Sequence, residues 1–337
     1  MPVFRWDANA FVDLRTGRRV TRDVDPAYIP GWGLPTFRDE FDTPGAPDPA
    51  KWNVRDRSGF GLLNDATVIK SEQCVVTSNG LEIRGEWLPQ NQWEYTATGP
   101  QAPENTLRAM KTGYLEHRRT TGSDTIYSQR YGIWEYRVKL PIATGNSQGT
   151  LPAVWLRNTK TGEIDMTEGW GSGPSGTPAK TGWYPAQPKP NAGRTTFTIH
   201  SNTSGGGTKE AWTQPSPAIF DGWATYRFVY TPDVFAFYRK RDGLDPDFVE
   251  QFYLTPTSHR SIAGTLSGTT PASQTHFAKF WTDTDAYDGP WHIRMNLHIG
   301  PSTAYWGVPD PDHPEWTDNP VMLVDYVRIY NYDNREA

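Results

Sequence analysis

Three acidic residues, Glu163, Asp165 and Glu168, stand among apolar and small neighbours rather than in a run of charges. In a β-strand, residues i and i+2 share a face, so an unbroken strand points Glu163 and Asp165 one way and Glu168 the other. One β-bulge at residues 166–167 would return Glu168 to the shared face. Two carboxyl groups about 5–5.5 Å apart can act as nucleophile and acid/base in the retaining hydrolysis of a glycosidic bond. The spacing therefore predicts an active-site strand.

The acid triplet alone is weak support. With 38 Asp and Glu among 337 residues, a chain of this size gives about 0.5 accidental matches to such a pattern. The alternative is an exposed strand whose acids are simply solvated. The surrounding sequence has to decide between the two.

The elements that would position the acids are short strands. The sequence is 36% hydrophobic and 13% aromatic, with 31 Gly and 29 Pro, which favours a turn-rich globular protein. Long helical periodicity is nearly absent, whereas several segments alternate polar with apolar or aromatic residues, as half-buried antiparallel strands do. We predict an all-β protein, an antiparallel β-sandwich of jelly-roll type. Besides the acid strand, strands are predicted at 81–84, 132–140, 195–200, 224–230 and 322–330.

No Pro-rich or Ser/Gly-rich linker divides the chain, so we expect a single domain over residues 35–337. Residues 1–34 mix aromatic residues with polar and turn residues, and we expect them to form an N-terminal arm packed on this domain. A Ser/Thr/Gly-rich insertion near 258–276 predicts a mobile loop at the border of the site.

Charge and cysteine content exclude some classes of function. The formal net charge of −5 gives no overall basic surface for nucleic acid or an anionic membrane. No apolar run is long enough for a transmembrane helix. Cys74 is the only cysteine, so no intrachain disulfide can form, and its apolar neighbours favour a buried small hydrophobe over a nucleophile.

Further segments resemble, in order, the signature blocks of glycoside hydrolase family 16, which includes laminarinases, lichenases, agarases, porphyranases and carrageenases. One acid triplet is common, but so many collinear blocks are not. The resemblance spans residues 37–330 and implies a concanavalin A-like jelly roll. Its blocks are FRDEFD at 37–42, KW at 51–52, NGLEI at 79–83, YGIWEYRVKLP at 131–141, LPAVWL at 151–156, WATY at 223–226, YTPD at 230–233, MNL at 295–297, YWG at 305–307 and VDYVRIY at 324–330.

The resemblance also implies roles for the three acids. Glu163 is the expected nucleophile, Glu168 the expected acid/base, and Asp165 the hydrogen-bond partner of the nucleophile. The physical reason for a trio is that clustered carboxylates disfavour one another's ionisation, so that one stays protonated while another is an anion. The implied reaction proceeds through a covalent glycosyl-enzyme intermediate.

Five further residues are predicted to contact the sugar. Trp155 and His200 match family positions, although core packing of Trp155 and a structural role for His200 are the alternatives. Arg157 lies two residues beyond Trp155 on the same strand face and could reach a hydroxyl, sulfate or carboxylate of the sugar. Trp170 and Trp306 are stacking candidates. Outside this set, Glu135 and Arg137 are interpreted as a structural ion pair flanking the groove.

No cofactor is expected for catalysis, but many relatives hold a structural calcium ion away from the catalytic residues. The matching ligands would be Glu40, the backbone carbonyl of Gly80, and Asp325, which are hard oxygen donors suited to this cation. The alternative is that Glu40 and Asp325 are plain surface acids.

The expected substrate is a β-linked polysaccharide, cleaved internally, either a β-galactan of the agar or porphyran type or a β-1,3-glucan. The alternative is a non-catalytic, lectin-like glycan-binding module on the same sandwich. Such a module needs aromatic platforms but no bulged strand of carboxylates, so the acid trio favours the enzyme. We expect a monomer that binds neither nucleic acid nor membrane.

Residues 1–7 lack the apolar segment of a secretory signal. We therefore expect either an extracellular protein whose signal has been removed or export by another route, for example as a virion-associated depolymerase.

Overall fold

The structure is a computed structural model. It describes residues 4–7, 10–13, 18–20, 25–56, 67–92, 94–96, 106–108, 110–119, 124–142, 149–158, 162–170, 194–201, 210–216, 220, 222–256, 259–261, 267–268, 281, 289–299 and 320–334.

The described residues include β-strands and three short 3₁₀ helices. The helices are η1 (Ser71–Gln73), η2 (Gln90–Gln92) and η3 (Tyr332–Asn334). The strands, numbered in chain order, are β1 (Phe4–Asp7), β2 (Ala10–Asp13), β3 (Arg18–Val20), β4 (Phe37–Asp39), β5 (Asn53–Val54), β6 (Thr67–Ile69), β7 (Cys74–Thr77), β8 (Gly80–Trp87), β9 (Glu94–Thr96), β10 (Thr106–Arg108), β11 (Met110–Thr112), β12 (Tyr114–Glu116), β13 (Gly132–Lys139), β14 (Thr150–Asn158), β15 (Glu163–Trp170), β16 (Arg194–Ser201), β17 (Glu210–Ser216), β18 (Trp223–Tyr230), β19 (Phe235–Arg241), β20 (Val249–Leu254), β21 (His259–Ser261), β22 (Ser267–Gly268), β23 (Trp291–Ile299) and β24 (Val321–Asn331).

Two large sheets make up the body of the protein. The eleven-stranded sheet has the order β21-β20-β19-β18-β13-β24-β8-β11-β6, with β4 on β24 and β7 on β8. The eight-stranded sheet has the order β22-β17-β16-β15-β14-β23-β12-β5. Neighbouring strands within them pair antiparallel, except for β6 and β11, which are parallel. This is the all-β sandwich that the sequence predicts, and each of the five predicted strands is present.

The core lies between the two sheets because each strand buries alternate residues. In β23, Ile293, Met295 and Leu297 are fully buried in the hydrophobic core, whereas Arg294 and its i±2 neighbours lie on the opposite face of the sheet. That second face of the eight-stranded sheet, the site face, carries the predicted active-site acids. Core residues from both sheets include Trp134, Tyr136, Phe228, Phe237, Ile329, Val154, Ile164 and Met166.

The N-terminal region divides into two parts. β1, β2 and β3 form a small sheet of their own. Residues 25–34 contact the eleven-stranded sheet: the hydroxyl of Tyr330 donates to the carbonyl of Ala27 at 2.6 Å, and Arg38 pairs with Asp25 at 2.6 Å. The expected arm over residues 1–34 as a whole stays a prediction.

The predicted loop near 258–276 contains two short strands in its described part. β21 pairs with β20 at the edge of the eleven-stranded sheet, and β22 pairs with β17 at the edge of the eight-stranded sheet. The segment therefore passes from one sheet to the other. Hydrogen bonding to these two edges gives local order that its Ser/Thr/Gly composition did not indicate.

The predicted pairing of Glu135 with Arg137 is wrong. Both residues lie on β13 of the eleven-stranded sheet. Glu135 accepts hydrogen bonds from Arg227 at 2.8 and 2.5 Å, and Arg137 pairs instead with Asp242 and Asp325. The reason is geometric: Glu135 and Arg227 are direct cross-strand partners, and such partners are closer than residues i and i+2 of one strand.

Cys74 is buried, as expected, with 2% of its surface exposed. Burial raises the pKa of its thiol to about 12. The thiolate is therefore absent at neutral pH, and Cys74 acts as a small core side chain.

Candidate active site

The strand β15 contains the β-bulge that the acid spacing predicts. On one side, Trp155 of β14 pairs with Asp165 whereas Val154 pairs with Thr167. On the other side, three residue steps from Asp165 to Glu168 correspond to only two on β16. One extra residue in β15 therefore shifts the register, and the alternation of faces changes after the bulge.

The bulge separates the strand into core-facing and site-facing side chains. Ile164, Met166 and Thr167 are buried, with at most 1% of their surface exposed. Asp165 and Glu168 share the site face and are hydrogen-bonded to each other. Glu163 precedes Asp165 by two residues, so it lies on the same face. The predicted juxtaposition of the three carboxyl groups is therefore present.

Glu168 has the electrostatic environment of a general acid. Burial raises its pKa well above the ordinary value, and the neighbouring charges of Asp165 and Glu163 raise it further. The hydrogen bond that protonated Glu168 donates to the Asp165 carboxylate also raises this pKa, while a hydrogen bond with Thr198 lowers it. The net direction is upward, so Glu168 keeps its proton at a pH where an ordinary carboxyl group has lost it.

Arg157 forms an ion pair with Glu163. The two residues are direct partners across the β14–β15 hairpin, and their side chains are 26% and 20% exposed. Arg157 lies on the site face, as expected, but its guanidinium group contacts the candidate nucleophile. The sequence prediction missed this contact. If residues 158–162 are taken as the connection of a hairpin, the residues on either side of it, Arg157 and Glu163, are the first cross-strand pair.

Trp155 occupies the next position on the site face, opposite Asp165. Its indole N–H donates to the side-chain oxygen of Asn296 at 2.7 Å, and the guanidinium carbon of Arg294 lies 4.7 Å from the ring centroid. Trp155 is partly exposed, unlike the core tryptophans. This placement fits a stacking platform beside the acids rather than core packing.

A buried charge cluster adjoins the platform, and sequence reasoning missed it. Glu116 of β12 is fully buried and is bound by Arg294 at 2.8 Å and by Arg55. Arg294 also donates to the imidazole of His292 at 3.2 Å. Burial lowers the pKa of His292 to about 3, helped by the charge of Arg294, so this imidazole is neutral. The pairing of β12 with β23 and with β5 brings these residues together.

Comparison with known proteins supports the resemblance of this sequence to glycoside hydrolase family 16. The family model described as glycosyl hydrolases family 16 matches residues 89–239, a range that includes the whole of β14 and β15. Over these residues the chain is similar to glycoside hydrolase family 16. It is thus a glycoside hydrolase.

Relatives outside the family model agree with this assignment. A curated protein named β-glucanase from Rhodothermus marinus is 25% identical over 319 residues, covering 90% of this chain and 86% of the relative. The crystal structure of SCLam, a non-specific endo-β-1,3(4)-glucanase from family GH16, superposes with a TM-score of 0.52 at 21% identity and covers 91% of this chain and 94% of SCLam. The catalytic domain of an endo-1,3-β-glucanase (laminarinase) from Thermotoga petrophila RKU-1 superposes with a TM-score of 0.54 at 17% identity. This match covers 88% of the present chain and 97% of the laminarinase domain. These two structures show that the fold is the jelly roll of the family.

For three of the residues predicted to contact sugar, the structure does not describe the side chain. His200 is the backbone partner of Glu163, and Trp170 ends β15 opposite Arg194; their side chains are outside the described part. Trp306 lies outside the described residues. Their contacts with sugar stay predictions.

The carboxylates expected to hold calcium have other partners in the structure. Arg328 binds both oxygens of Glu40, at 2.9 and 2.7 Å, and Arg137 binds Asp325 at 2.8 Å. Across the described residues, no group of three or more His, Cys, Asp and Glu side chains is arranged to hold a metal ion. In this arrangement an arginine offsets the charge of each carboxylate, so a calcium ion would have to compete with these ion pairs. The calcium ion stays a prediction, to be tested by chelation.

In the part of the chain that the structure describes, no helix has the length and apolar character that crossing a membrane requires.

Proposed function

We propose that this glycoside hydrolase cleaves a β-linked polysaccharide internally, with retention of configuration at the anomeric carbon. The observation that carries the proposal is the bulge in β15. It brings a carboxyl group with a strongly raised pKa, Glu168, onto the same face as the arginine-paired carboxylate Glu163. A protonated acid beside an anionic nucleophile is the pair that a retaining glycosidase needs.

In the first step, Glu163 attacks the anomeric carbon while Glu168 donates its proton to the glycosidic oxygen that leaves. The C–O bond to the leaving sugar breaks as the ester bond to Glu163 forms. In the second step, Glu168, now an anion, takes a proton from water, and this water attacks the anomeric carbon. The ester bond breaks, Glu163 is again a carboxylate, and Glu168 is again protonated.

Asp165 and Arg157 assist these two steps. The hydrogen bond between Asp165 and Glu168 fixes the acid in the row of carboxyl groups. Arg157 offsets the negative charge of Glu163, which has carboxyl neighbours on its own strand. Because Arg157 binds one oxygen of Glu163, it also restricts the rotation of that carboxylate.

We propose a β-1,3-glucan or mixed β-1,3/1,4-glucan as the first choice of substrate, and a β-galactan as the second. The relatives named above act on glucans according to their names. Arg157 could have bound a sulfate or carboxylate of an anionic galactan, but in the structure this side chain pairs with Glu163. Trp155, beside Asp165, supplies an apolar ring for stacking against either sugar.

Such a polymer is too large to cross a membrane unaided, so we propose that the enzyme acts outside the cell. Whether it is secreted or carried by a virion does not change its chemistry. We also propose that it acts as a monomer, which sedimentation would test.

The test is a reducing-end assay on laminarin, barley β-glucan, agarose, porphyran and carrageenans, with Glu163→Ala as the matched inactive variant. The expected result is activity on one class of polymer that is lost in Glu163→Ala. No release from any polymer, together with measurable binding to one of them, would support the lectin-like alternative and overturn the proposal.

A further inference from the structure

The bulge in the active-site strand is held from the opposite sheet. The hydroxyl of Tyr136, on β13 of the eleven-stranded sheet, lies 2.6 Å from the hydroxyl of Thr167, the second residue of the bulge. Both side chains are fully buried. This contact is a polar link across the hydrophobic core, directly beneath the catalytic carboxyl groups.

The direction of the hydrogen bonds follows from counting protons. The hydroxyl of Thr167 donates to the backbone carbonyl of Met166, the first residue of the bulge, at 2.6 Å. A threonine hydroxyl has a single proton, so Tyr136 must be the donor in its contact with Thr167. Burial raises the pKa of Tyr136 well above the usual value, so the phenol keeps the proton that it donates.

The position of Glu168 depends on this bulge. In a β-strand, a slip of one residue moves every later side chain to the other face. If β15 paired without the extra residue, Glu168 would leave the site face. Gly169, whose side chain is a single hydrogen atom, would face the site in its place. The bulge therefore determines whether Glu168, the proposed acid/base, faces the substrate or the core.

We infer that Tyr136 and Thr167 are positioning residues that fix the bulge through the Met166 carbonyl and so hold Glu168 beside Asp165. This inference rests on the proposed function, because Glu168 is the acid/base of that reaction. Tyr136 and Thr167 touch no reacting atom; they act through the backbone of β15.

The chain offers matched controls for both residues. Thr167→Ser keeps the hydroxyl, whereas Thr167→Val keeps the shape and removes the hydroxyl. For Tyr136→Phe, the control is Tyr226→Phe on the neighbouring strand β18. The ring of Tyr226 stacks on that of Tyr136 with centroids 5.6 Å apart, and it is also buried. Its hydroxyl, however, bonds to Arg239 rather than to the bulge.

The experiment measures kcat, KM and thermal melting for these four variants, on the polymer that the wild type cleaves. Because a misplacement of about 1 Å can cost about 100-fold in rate, we expect Tyr136→Phe and Thr167→Val to lower kcat by about 10- to 100-fold with little change in KM. Thr167→Ser and Tyr226→Phe should stay close to the wild type in kcat.

The pH profile separates positioning from a general loss of structure. When the bulge relaxes, Glu168 moves away from Asp165 and Glu163, and part of the cause of its raised pKa is lost. In the pH profile of kcat/KM, the basic limb should then move to lower pH in Tyr136→Phe and Thr167→Val. It should keep its position in Tyr226→Phe even if that variant melts at a lower temperature.

Wild-type kcat and an unmoved basic limb in Tyr136→Phe and Thr167→Val would overturn the inference. The inference would also be overturned if kcat fell equally in Tyr136→Phe and Tyr226→Phe, in proportion to the fall in melting temperature. Failure of the proposed function gives a different result: Glu163→Ala would then be as active as the wild type, or the wild type would cleave no polymer.

Discussion

Arg157 and Glu163 are direct cross-strand partners in the β14–β15 hairpin, and their side chains form an ion pair. Arg157, which the sequence suggested as a contact with sugar, is therefore a contact of the proposed nucleophile. The guanidinium group offsets the negative charge of Glu163 in a strand that also carries Asp165 and Glu168.

Replacing Arg157 by Met should therefore affect the chemical step. We expect kcat to fall by about tenfold or more, because no cation then offsets the charge of the Glu163 carboxylate or restricts its rotation. Arg157→Lys keeps the charge and should recover most of the activity. If Arg157 served only to bind sugar, KM would rise and kcat would stay close to the wild-type value.

Removing the proton donor should give a second, distinct kinetic result. Glu168→Gln should lower kcat on polysaccharide by about 10²- to 10⁴-fold, the usual contribution of general acid catalysis, while binding persists. On an aryl glycoside with a good leaving group, formation of the intermediate needs no acid, so added azide should restore turnover. Glu163→Ala is the control, because it should not form the intermediate on either substrate.

Azide rescue that is equal in Glu163→Ala and Glu168→Gln would contradict the assignment of roles to the two carboxyl groups.

The acid spacing was sufficient to predict the bulge. Glu168 comes three residues after Asp165, and an odd spacing can place two side chains on one face of a strand only if the strand carries an extra residue. The residues that support the acids were harder to predict. The partner of Arg157 depends on hairpin register, and Glu116 joins Arg55 and Arg294 only after short, distant strands have paired. The pairing of Glu135 was wrong for the same reason: a strand pattern gives the face of a residue, not the identity of its cross-strand neighbour.

The raised pKa of Glu168 should also cost stability. A carboxyl group whose pKa is raised by folding binds its proton more tightly in the folded state, so stability falls as pH rises from the unfolded value, about 4.3, towards the folded value. Glu168→Gln, which is neutral at every pH, should therefore melt higher than the wild type at neutral pH. A difference of about 2 °C or more is expected, since each 1 kcal/mol shifts Tm by about 2–4 °C in large domains.

Thermal melts of both proteins between pH 4 and pH 8 would check this, and the gap should close at the acidic end. A gap that is constant across this range would show that the carboxyl group is not the cause.

Trp155 should contribute to substrate binding. Trp155→Ala should raise KM by about tenfold, which corresponds to about 1.4 kcal/mol of lost binding, with a smaller effect on kcat. Trp155→Phe keeps an aromatic face and loses only the hydrogen bond to Asn296, so its KM should lie between those of the wild type and Trp155→Ala. A KM unchanged in both variants, measured by initial rates on the same polymer, would remove Trp155 from the binding site.

The predicted calcium ion can be tested by chelation. If Glu40, Gly80 and Asp325 hold calcium in solution, EDTA should lower Tm and added calcium should restore it, because a ligand of the folded state stabilises that state. The control is Asp325→Asn, which should make Tm insensitive to EDTA. An unchanged wild-type Tm would leave Glu40 and Asp325 as the partners of Arg328 and Arg137 seen here.

The central claim is that Glu163 and Glu168, placed on one face by the bulge, hydrolyse a glycosidic bond with retention. The most direct measurement is ¹H NMR of the anomeric protons during the first minutes of cleavage of the polymer that the enzyme accepts. The β-anomer of the new reducing end should appear first, and the α-anomer should follow by mutarotation. The α-anomer appearing first would contradict the proposed mechanism.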